Sequence, residues 1–447
     1  MTRGWRLSRD LVAVFLFTGA MLMLVQNAGA TRIQKVVSPG GITAWLVEQH
    51  TVPMIAVRVG FKGGTAQDPA GKSGLVHLLS ATMDEGADDL DSASFQRRLE
   101  ELTMSLSFSA GRDEYYARMK TLTANRDEAF HLLQIALTKP RFDEEAVTRI
   151  RRQVITGLKR EETDPDTLAY RAWFKSAFGD HPYGRPKKGT IKDVRTITPR
   201  DLKDFAGKIV ARDVMRITVV GDIDAKTLGG LLDKTFAGLP ETSGLGEIPE
   251  VKIPAKPDLQ VIEMDIPQSV IVFGMQGMKR HDEDFIPAFV MNYILGGGGF
   301  SSRLTEEVRE KRGLTYSIYS FLLPLAHAGA IMGSASTKNA SVAEAVELIR
   351  KEITRMAEGG VSAEELGSAK TYLTGSYPLR FDSSSKIAGQ LIAIQMEDLG
   401  IDYIDTRNAK IEAVTPEDIA RVAKRLLKDE NMRIVVVGTP DGLKDKN

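Results

Sequence analysis

Apolar and polar positions follow strand and helix spacings in two successive stretches of the chain. Alternating, β-branched segments predict strands, and amphipathic spacing predicts helices. The predicted strands cover residues 43–47, 54–61, parts of 105–122, 260–266, 270–276 and 314–322, and the predicted helices lie near residues 73–85, 92–102, at several positions up to 207, and near 285–295. Because strands and helices are segregated and do not alternate regularly as βαβ units, the pattern indicates an α+β fold.

A repeated segment closes both stretches. Residues 198–202 (TPRDL) resemble residues 415–419 (TPEDI), and residues 215–221 (MRITVVG) resemble residues 432–438 (MRIVVVG), both at an offset of 217 residues. Thr-Pro-x-Asp is a helix start, with Thr as the cap, Pro at the first helical position and an acid in the first turn. A strand ending in Gly follows each helix. Two such closures predict two tandem homologous domains.

The boundary between the two units is predicted at residues 237–258. Pro and Gly recur there among polar residues, which is a composition typical of linkers. These residues are Pro240, Gly244, Gly246, Pro249, Pro254 and Pro257. The predicted domains are therefore residues 31–236 and residues 259–447.

The first 30 residues differ in kind from the rest of the chain. Residues 3–9 carry three Arg, residues 11–25 are uncharged and mostly apolar, and residues 28–30 (AGA) match a small-x-small cleavage pattern. This order predicts a secretory signal peptide over residues 1–30, with Thr31 as the first mature residue. The alternative is an uncleaved membrane anchor, for which the apolar run is short. We therefore expect a periplasmic protein without a stable membrane anchor.

The charge balance and the lack of cysteine exclude several classes of protein. The chain of 447 residues has 59 basic and 59 acidic side chains, whereas nucleic-acid-binding proteins usually carry a basic excess. It has no cysteine, which excludes disulfides, thiolate metal sites and a lipid anchor on Cys. An exported chain of this kind must hold itself together by core burial alone.

Residues 74–86 (GLVHLLSATMDEG) carry the most informative pattern. They follow a predicted strand and the segment Gly63-Gly64-Thr65, and in that context they resemble the zinc-binding helix of the pitrilysin/insulinase-type metallopeptidases. The resemblance extends over essentially the whole mature chain, including residues 180–186 (DHPYGRP). It implies a fold of the mitochondrial processing peptidase type, in which each of two domains has a mostly antiparallel sheet with helices packed on it.

That family binds zinc through an inverted His-x-x-Glu-His motif and a Glu on a later helix, and the Glu of the motif is the general base. This chain keeps the first His as His77, has Ser80 at the base position and Ala81 at the second His position, and has Gly157 at the position of the distant Glu. A catalytic zinc needs three protein ligands. The resemblance therefore implies a degenerate zinc site, with no metal and no catalytic residue in this chain.

Neighbouring side chains do not restore the missing ligands. Asp84 shares a helix face with His77, but seven residues of helix rise about 10 Å, which is too far for one ion. A lone His is a weak ligand. We therefore interpret His77 as a partly buried polar residue in a helix.

The second unit keeps a different part of the family's pattern. The resemblance implies that Arg303 and Tyr316 reach across to the zinc site and hold the substrate, because an Arg fork and a Tyr hydroxyl suit peptide carbonyl and carboxylate groups. A glycine run before them offers backbone N–H groups to an extended peptide. The run consists of Gly296, Gly297, Gly298 and Gly299. The structural alternative is that Arg303 pairs with a nearby Glu, Tyr316 packs, and the glycines turn the chain.

Some members of the family work as heterodimers, in which one subunit carries zinc and the other lends substrate contacts. The resemblance thus implies a non-catalytic, substrate-contacting subunit of a heterodimeric periplasmic zinc peptidase. Zinc is expected in the catalytic insulinase-type partner, and peptides are the expected substrates. Two alternatives remain, namely a binding or scaffold protein without a protease partner and a residual metallopeptidase with a non-standard metal site.

Overall fold

The computed structural model describes residues 32–443 and contains one β-sheet in each half of the chain. The predicted signal peptide, residues 1–30, lies outside the described residues. The strands of the first sheet are β1 (Gln34–Val37), β2 (Thr43–Glu48), β3 (Met54–Lys62), β4 (Ser105–Ala110), β5 (Glu114–Leu122) and β6 (Met215–Gly221). The strands of the second sheet are β7 (Asp258–Glu263), β8 (Gln268–Gln276), β9 (Thr315–Leu325), β10 (Ala328–Lys338) and β11 (Arg433–Gly438).

Helices occupy most of the chain between the strands. The first half contains α1 (Leu75–Ser80), α2 (Ser92–Glu101), α3 (Arg126–Thr138), α4 (Glu144–Glu161), α5 (Pro165–Phe178), α6 (Ile191–Thr196), α7 (Pro199–Ile209) and α8 (Ala225–Phe236). The second half contains α9 (Phe285–Asn292), α10 (Val342–Gly359), α11 (Ala363–Gly375), α12 (Ser384–Met396), α13 (Tyr403–Glu412) and α14 (Pro416–Leu426). Between residues 32 and 443, no helix is both long and apolar enough to span a bilayer.

The two sheets share one strand order. The first runs β1-β2-β6-β3-β5-β4 and the second β7-β11-β8-β10-β9, so that β2 to β6 correspond in chain order to β7 to β11. In each sheet one neighbouring pair is parallel, β2 with β6 and β7 with β11, and the remaining pairs are antiparallel. The prediction of an α+β fold with two tandem, mostly antiparallel units is confirmed.

The repeated Thr-Pro-x-Asp segments begin equivalent helices. Thr198 caps α7 and Thr415 caps α14, and each forms a reciprocal capping box with the Asp three residues later. The Pro at the first turn needs no hydrogen-bond acceptor there. The helix start that revealed the repeat in the sequence therefore performs the same structural task in both halves.

Both faces of each sheet are buried along its central strands, and the second face is covered there by a helix from the other half. Along β8, Ile271 and Phe273 face the core of the second half, whereas Val270 and Val272 face α5 of the first half. The first sheet is covered in the same way by α12 of the second half, which packs on β3 and β6. This reciprocal exchange explains why the central strands are apolar at nearly every position.

Glycines in the central strands make room for the exchanged helices. A Cβ at Gly274 of β8 would lie 2.6 Å from the Trp173 ring of α5, and a Cβ at Gly60 of β3 would lie 2.5 Å from Sδ of Met396 at the end of α12. Trp173 is fully buried there, edge-on to Phe174 at a ring separation of 5.4 Å. Each half thus packs a large side chain against a glycine in the sheet of the other half.

The chain between α8 and β7 forms no helix or strand. It is not detached from the fold, because Ile253 is buried in the cluster around Trp173, and Ile248 and Val251 pack against the same cluster. The predicted domain bounds, with a linker at residues 237–258, remain a prediction. What the structure adds is that this connection lies against the junction of the two halves.

Replacing Trp173 with Ala should lower the free energy of unfolding by about 3–5 kcal/mol, because the lost ring leaves a cavity between α5 and the second sheet. Equilibrium urea denaturation followed by circular dichroism measures this change. The control is Leu379→Ala, since Leu379 is 72% exposed and its loss should cost no more than about 0.5 kcal/mol. Equal effects of the two substitutions would contradict the described packing of α5.

Candidate functional site

Helix α1 carries His77 and is held at its first turn by a buried carboxylate. Asp68 accepts hydrogen bonds from the backbone N–H of Gly74 at 2.6 Å and of Val76 at 2.9 Å. Burial raises the pKa of Asp68 to about 7. A Cβ at Gly74 would lie 2.6 Å from the carbonyl oxygen of Lys188, so the glycine lets the segment around Lys188 pass close to the helix start.

His77 lies in a cationic environment. Burial, together with the nearby charges of Lys188 and Lys187, lowers the pKa of His77 to about 4. The imidazole is therefore neutral near pH 7. A neutral imidazole is the ligating form, but the neighbouring ammonium groups repel a divalent cation. The carboxylate of Glu161 has the opposite effect on the pKa of His77, but it already forms salt bridges with Lys188 at 2.6 Å and with Arg171 at 2.5 Å.

The other predicted site positions on this side provide no metal ligand. The Ser80 hydroxyl donates to the backbone oxygen of His77 at 2.8 Å, Ala81 has no donor atom, and Gly157 has no side chain. Within residues 32–443, no group of three or more His, Cys, Asp or Glu side chains is arranged to hold a metal ion. The residues at the family's zinc position therefore do not fit zinc, and no catalytic step is assigned to a metal in this chain.

Helix α1 is shorter than the predicted helix over residues 73–85. It ends at Ser80, and turns follow. The Thr82 hydroxyl donates to the backbone oxygen of Leu78 at 2.9 Å, a local bond that competes with continued helix. Asp84 consequently does not continue the helix face of His77, and burial raises its pKa to about 6.

The glycine run of the second half packs against its own chain. Helix α9 continues into a π-helical turn, Tyr293–Gly297. A Cβ at Gly296 in this turn would lie 2.4 Å from Oγ of Ser320 on β9. Gly299 has a φ of 57°, in the left-handed region. These contacts account for two of the glycines as packing and turn positions. A role of the run in binding an extended peptide stays a prediction.

Arg303 is engaged inside the protein. It is 8% exposed, and its Nε and Nη2 donate to the two carboxylate oxygens of Glu365 at 2.6 and 2.8 Å. Its Nη2 also donates to the backbone oxygen of Gly360 at 2.8 Å. Pairing with Arg303 lowers the pKa of Glu365 to about 2. The structure favours the structural alternative for Arg303 over the substrate-binding interpretation: a forked pair with a Glu uses Nε and Nη2, while Nη1 is buried without a hydrogen-bond partner among the described residues.

Tyr316 is exposed and belongs to a small surface cluster. Its side chain is 84% exposed, and that of Phe300 is 70% exposed. The guanidinium of Arg309 lies between them, 4.5 Å from the Phe300 ring centre and 5.2 Å from the Tyr316 ring centre. We call Phe300, Arg309 and Tyr316 the aromatic–arginine surface. It presents two aromatic rings to solvent, and between them a guanidinium that is partly covered and whose Nε lies 3.4 Å from Oε1 of Glu310. Aromatic rings beside an arginine are a combination suited to peptide groups.

The sequence-based prediction named Arg303, whereas the arginine that lies beside Phe300 and Tyr316 is Arg309. Arg303 directly precedes the buried Leu304, whereas Arg309 directly follows the buried Val308 and reaches Tyr316 at the start of β9. Because most of residues 306–311 are charged, charge alone gives no sign that Arg309 differs from its solvent-exposed neighbours. The position of Arg309 seven residues before an aromatic strand start was the signal that could have found it.

Comparison with known proteins finds the same relationship in sequence and in structure. Residues 44–190 match the model of Insulinase (Peptidase family M16), and residues 196–373 match that of the Peptidase M16 inactive domain. A non-peptidase homolog, YmxG of Helicobacter pylori, is 28% identical over 341 residues, covering 76% of this chain and 78% of that protein. An uncharacterized zinc protease of Streptomyces coelicolor is 25% identical over 433 residues, covering 94% and 91%.

A solved structure agrees with these matches. The crystal structure of a peptidase M16 inactive domain from Pseudomonas fluorescens superposes with a TM-score of 0.86 at 29% identity. The alignment covers 93% of this chain and 99% of that chain. The likeness therefore extends over both halves, and the fold with its two sheets is shared.

Replacing Arg303 with Met should lower the free energy of unfolding by about 3 kcal/mol at neutral pH, because it leaves the carboxylate of Glu365 without its partner. The matched control is Arg309→Met, which removes a partly exposed guanidinium and its surface ion pair with Glu310, and which should change stability by no more than about 1 kcal/mol. Urea denaturation of the two variants and the parent chain measures both values.

The effect of Arg303→Met should shrink in acid. The pKa of Glu365 is lowered from 4.5 to about 2 in the folded chain, so the stabilisation is complete above about pH 4.5 and is lost as the pH falls toward 2. The stability difference between parent and variant should therefore narrow between about pH 5 and pH 3. A constant difference, or equal damage by Arg309→Met, would show that this pair does not hold Arg303.

Proposed function

The chain belongs to the insulinase family of peptidases, and from that membership we propose that it is the non-catalytic, substrate-contacting subunit of a heterodimeric periplasmic zinc peptidase. Within the family it is an inactive homologue, since its second half matches an inactive-domain model and it aligns with a relative named as a non-peptidase homolog. It is not a peptidase on its own. Only His77 remains of the family's zinc ligands and general base.

The observation that carries the proposal is the exposed aromatic–arginine surface beside the glycine run. Large aromatic side chains are normally buried, yet Tyr316 is 84% and Phe300 is 70% exposed. Aromatic rings and Arg are the residues that most often supply binding energy at protein and peptide interfaces. The Arg309 guanidinium and the Tyr316 hydroxyl are hydrogen-bond donors that suit the carbonyl groups of an extended peptide.

A second subunit is proposed because the chemistry has to come from outside this chain. Peptide hydrolysis at a metal needs three protein ligands and an open position, and an intact family member would bring them. The two halves of this chain cannot open widely without exposing the apolar faces covered by α5 and α12. A chamber for peptides is therefore more readily formed between two such chains than within one. Zinc is expected in the partner only.

The predicted signal peptide supports a periplasmic site of action. The lack of cysteine is compatible with that compartment, because burial of both faces of each sheet replaces disulfides as the source of stability. Relatives named as zinc proteases support the existence of zinc-binding chains of similar architecture. The partner is thus sought among family members that carry the intact His-x-x-Glu-His motif.

Co-expression with such a family member should yield a complex that cleaves unfolded peptides. In that complex, Tyr316→Ala or Arg309→Met in this chain should lower kcat/KM by roughly 10- to 100-fold, because each removes a contact to the peptide. Complex formation, measured by size-exclusion chromatography with light scattering, should be unchanged. A fluorogenic peptide assay measures the rates.

The matched control is Arg200→Met, since the Arg200 side chain is 91% exposed on α7, away from the aromatic–arginine surface. Its kcat/KM should equal that of the parent complex. Chelator-sensitive cleavage by the isolated chain with added zinc would contradict the non-catalytic role. A complex that forms but is indifferent to Tyr316→Ala and Arg309→Met would favour the scaffold alternative.

A further inference from the structure

A cavity of about 600 Å³ lies in the second half, between α9, β9, α12 and α13. Gly297 of the glycine run and Tyr293 of the π-helical turn are among the residues that line it. Its size is within the range of small-molecule and peptide-end sites. None of the predicted site residues except Gly297 lines it, so it is a separate feature from the aromatic–arginine surface.

Three arginines line this cavity against a single carboxylate. They are Arg280, Arg380 and Arg407, and the acidic residue is Glu397. Within residues 32–443, none of the three arginines forms an ion pair or hydrogen bond with a carboxylate. This differs from Arg303, whose Nε and Nη2 form a forked ion pair with Glu365. Arg280 does act electrostatically on Glu397, but three guanidinium groups against one carboxylate leave an excess of positive charge in a concave, partly buried site, which favours an anionic ligand.

Aromatic rings hold two of these guanidinium groups in place. Arg280 lies 4.1 Å from the Phe285 ring centre, and its Nη2 donates to the Tyr403 hydroxyl at 2.7 Å. Arg407 lies 4.1 Å from the Tyr377 ring centre. Such stacking orients the planar head and leaves its edge for a forked bond to a carboxylate.

Nη1 of Arg407 is satisfied inside the protein, whereas its Nε and Nη2 have no hydrogen-bond acceptor among the described residues. Nη1 donates to the backbone oxygen of Leu373 at 3.1 Å and to Oδ1 of Asn408 at 2.9 Å. Within the described part of the chain, Nε and Nη2 of Arg407 donate no hydrogen bond. Arg407 is 6% exposed, so a ligand that accepted from these groups would do so in a shielded environment.

The rest of the cavity wall is apolar. Aromatic and aliphatic side chains supply it, including Phe289, Phe321, Leu322, Ile394 and Leu399. The wall includes residues of β9, which is an edge strand of the second sheet in the described part of the chain. The backbone oxygen of Ser320 already accepts a hydrogen bond from Nδ2 of Asn292, and Pro324 has no N–H, so this edge is only partly open to an extended chain. Its remaining backbone groups are a feature that a free fatty acid would not use.

We propose that this cavity binds the C-terminal carboxylate of an extended peptide whose last side chain is apolar. The carboxylate is held by Arg280 and Arg407, with Arg380 at the exposed mouth, and the last side chain lies against Phe289 and Ile394. The inference rests on the proposed function, because it gives the substrate-contacting subunit a site that recognises one end of the peptide. It predicts a preference for free, apolar C-termini.

Fluorescence anisotropy of the full, isolated chain tests the site without a partner. The probe is a pentapeptide that ends in leucine and carries fluorescein at its N-terminus, prepared with a free carboxylate and with a C-terminal amide. The acid should bind at least about 10-fold more tightly than the amide, because the amide loses the charge-assisted forked bonds. Arg280→Gln and Arg380→Gln should each weaken binding of the acid, the former by about 10-fold.

The control variant is Arg200→Gln, which removes an exposed arginine of the first half and should leave the affinity for the acid unchanged. The comparison of acid with amide needs no variant, so a misfolded Arg280→Gln would not hide the answer. Equal binding of acid and amide would overturn the proposal. Binding of decanoate without detectable binding of the peptide acid would also overturn it, in favour of a lipid ligand.

Failure of this inference is distinguishable from failure of the proposed function. If the isolated chain shows no preference for the free carboxylate while the co-expressed complex still depends on Tyr316, only the cavity assignment is wrong. If the carboxylate preference is found but no family member yields an active complex, the cavity assignment stands. The heterodimeric peptidase is then excluded for the partners tested.

Discussion

The exchange of helices α5 and α12 between the two halves is the packing arrangement on which the rest of the structure depends. Each sheet buries one face against its own helices and the other against a helix of the opposite half. Trp173 packs beside Gly274, and Met396 packs beside Gly60. A Cβ at either glycine would lie too close to the side chain that packs there, so the two glycines make this exchange specific. Because neither half can complete its core alone, the two tandem units fold as one body, and their surfaces are held in a fixed relation.

That fixed body carries a degenerate zinc site in one half and the exposed aromatic–arginine surface in the other. At His77 the loss is more than a missing ligand, because Lys187 and Lys188 act on the imidazole as nearby positive charges, which disfavour a bound cation. In the second half, Tyr316 is exposed to solvent, and the partly exposed Arg309 lies beside its ring. A chain of this kind is suited to holding substrate for chemistry that another subunit performs.

The sequence predicted the parts of this architecture that are encoded locally. Thr-Pro-x-Asp starts, strand alternation and the offset repeat gave the two units, because caps and periodicity act over a few residues. The helix exchange was not predictable, since the apolar strand positions do not say which helix covers them. Arg303 and Arg309 were confused for a related reason: the partner of Arg303, Glu365, is 62 residues away in the chain, and charge alone does not show which arginine is buried.

The central claim is that this polypeptide has no catalytic metal centre and works only beside a chain that has one. The most direct measurement is the zinc content of the purified heterodimer, combined with its subunit stoichiometry from native mass spectrometry. The account predicts one zinc ion per heterodimer, lost when the partner's motif histidines are replaced, and none retained by this chain alone. Two zinc ions per heterodimer, or one tightly held by the isolated chain, would contradict it.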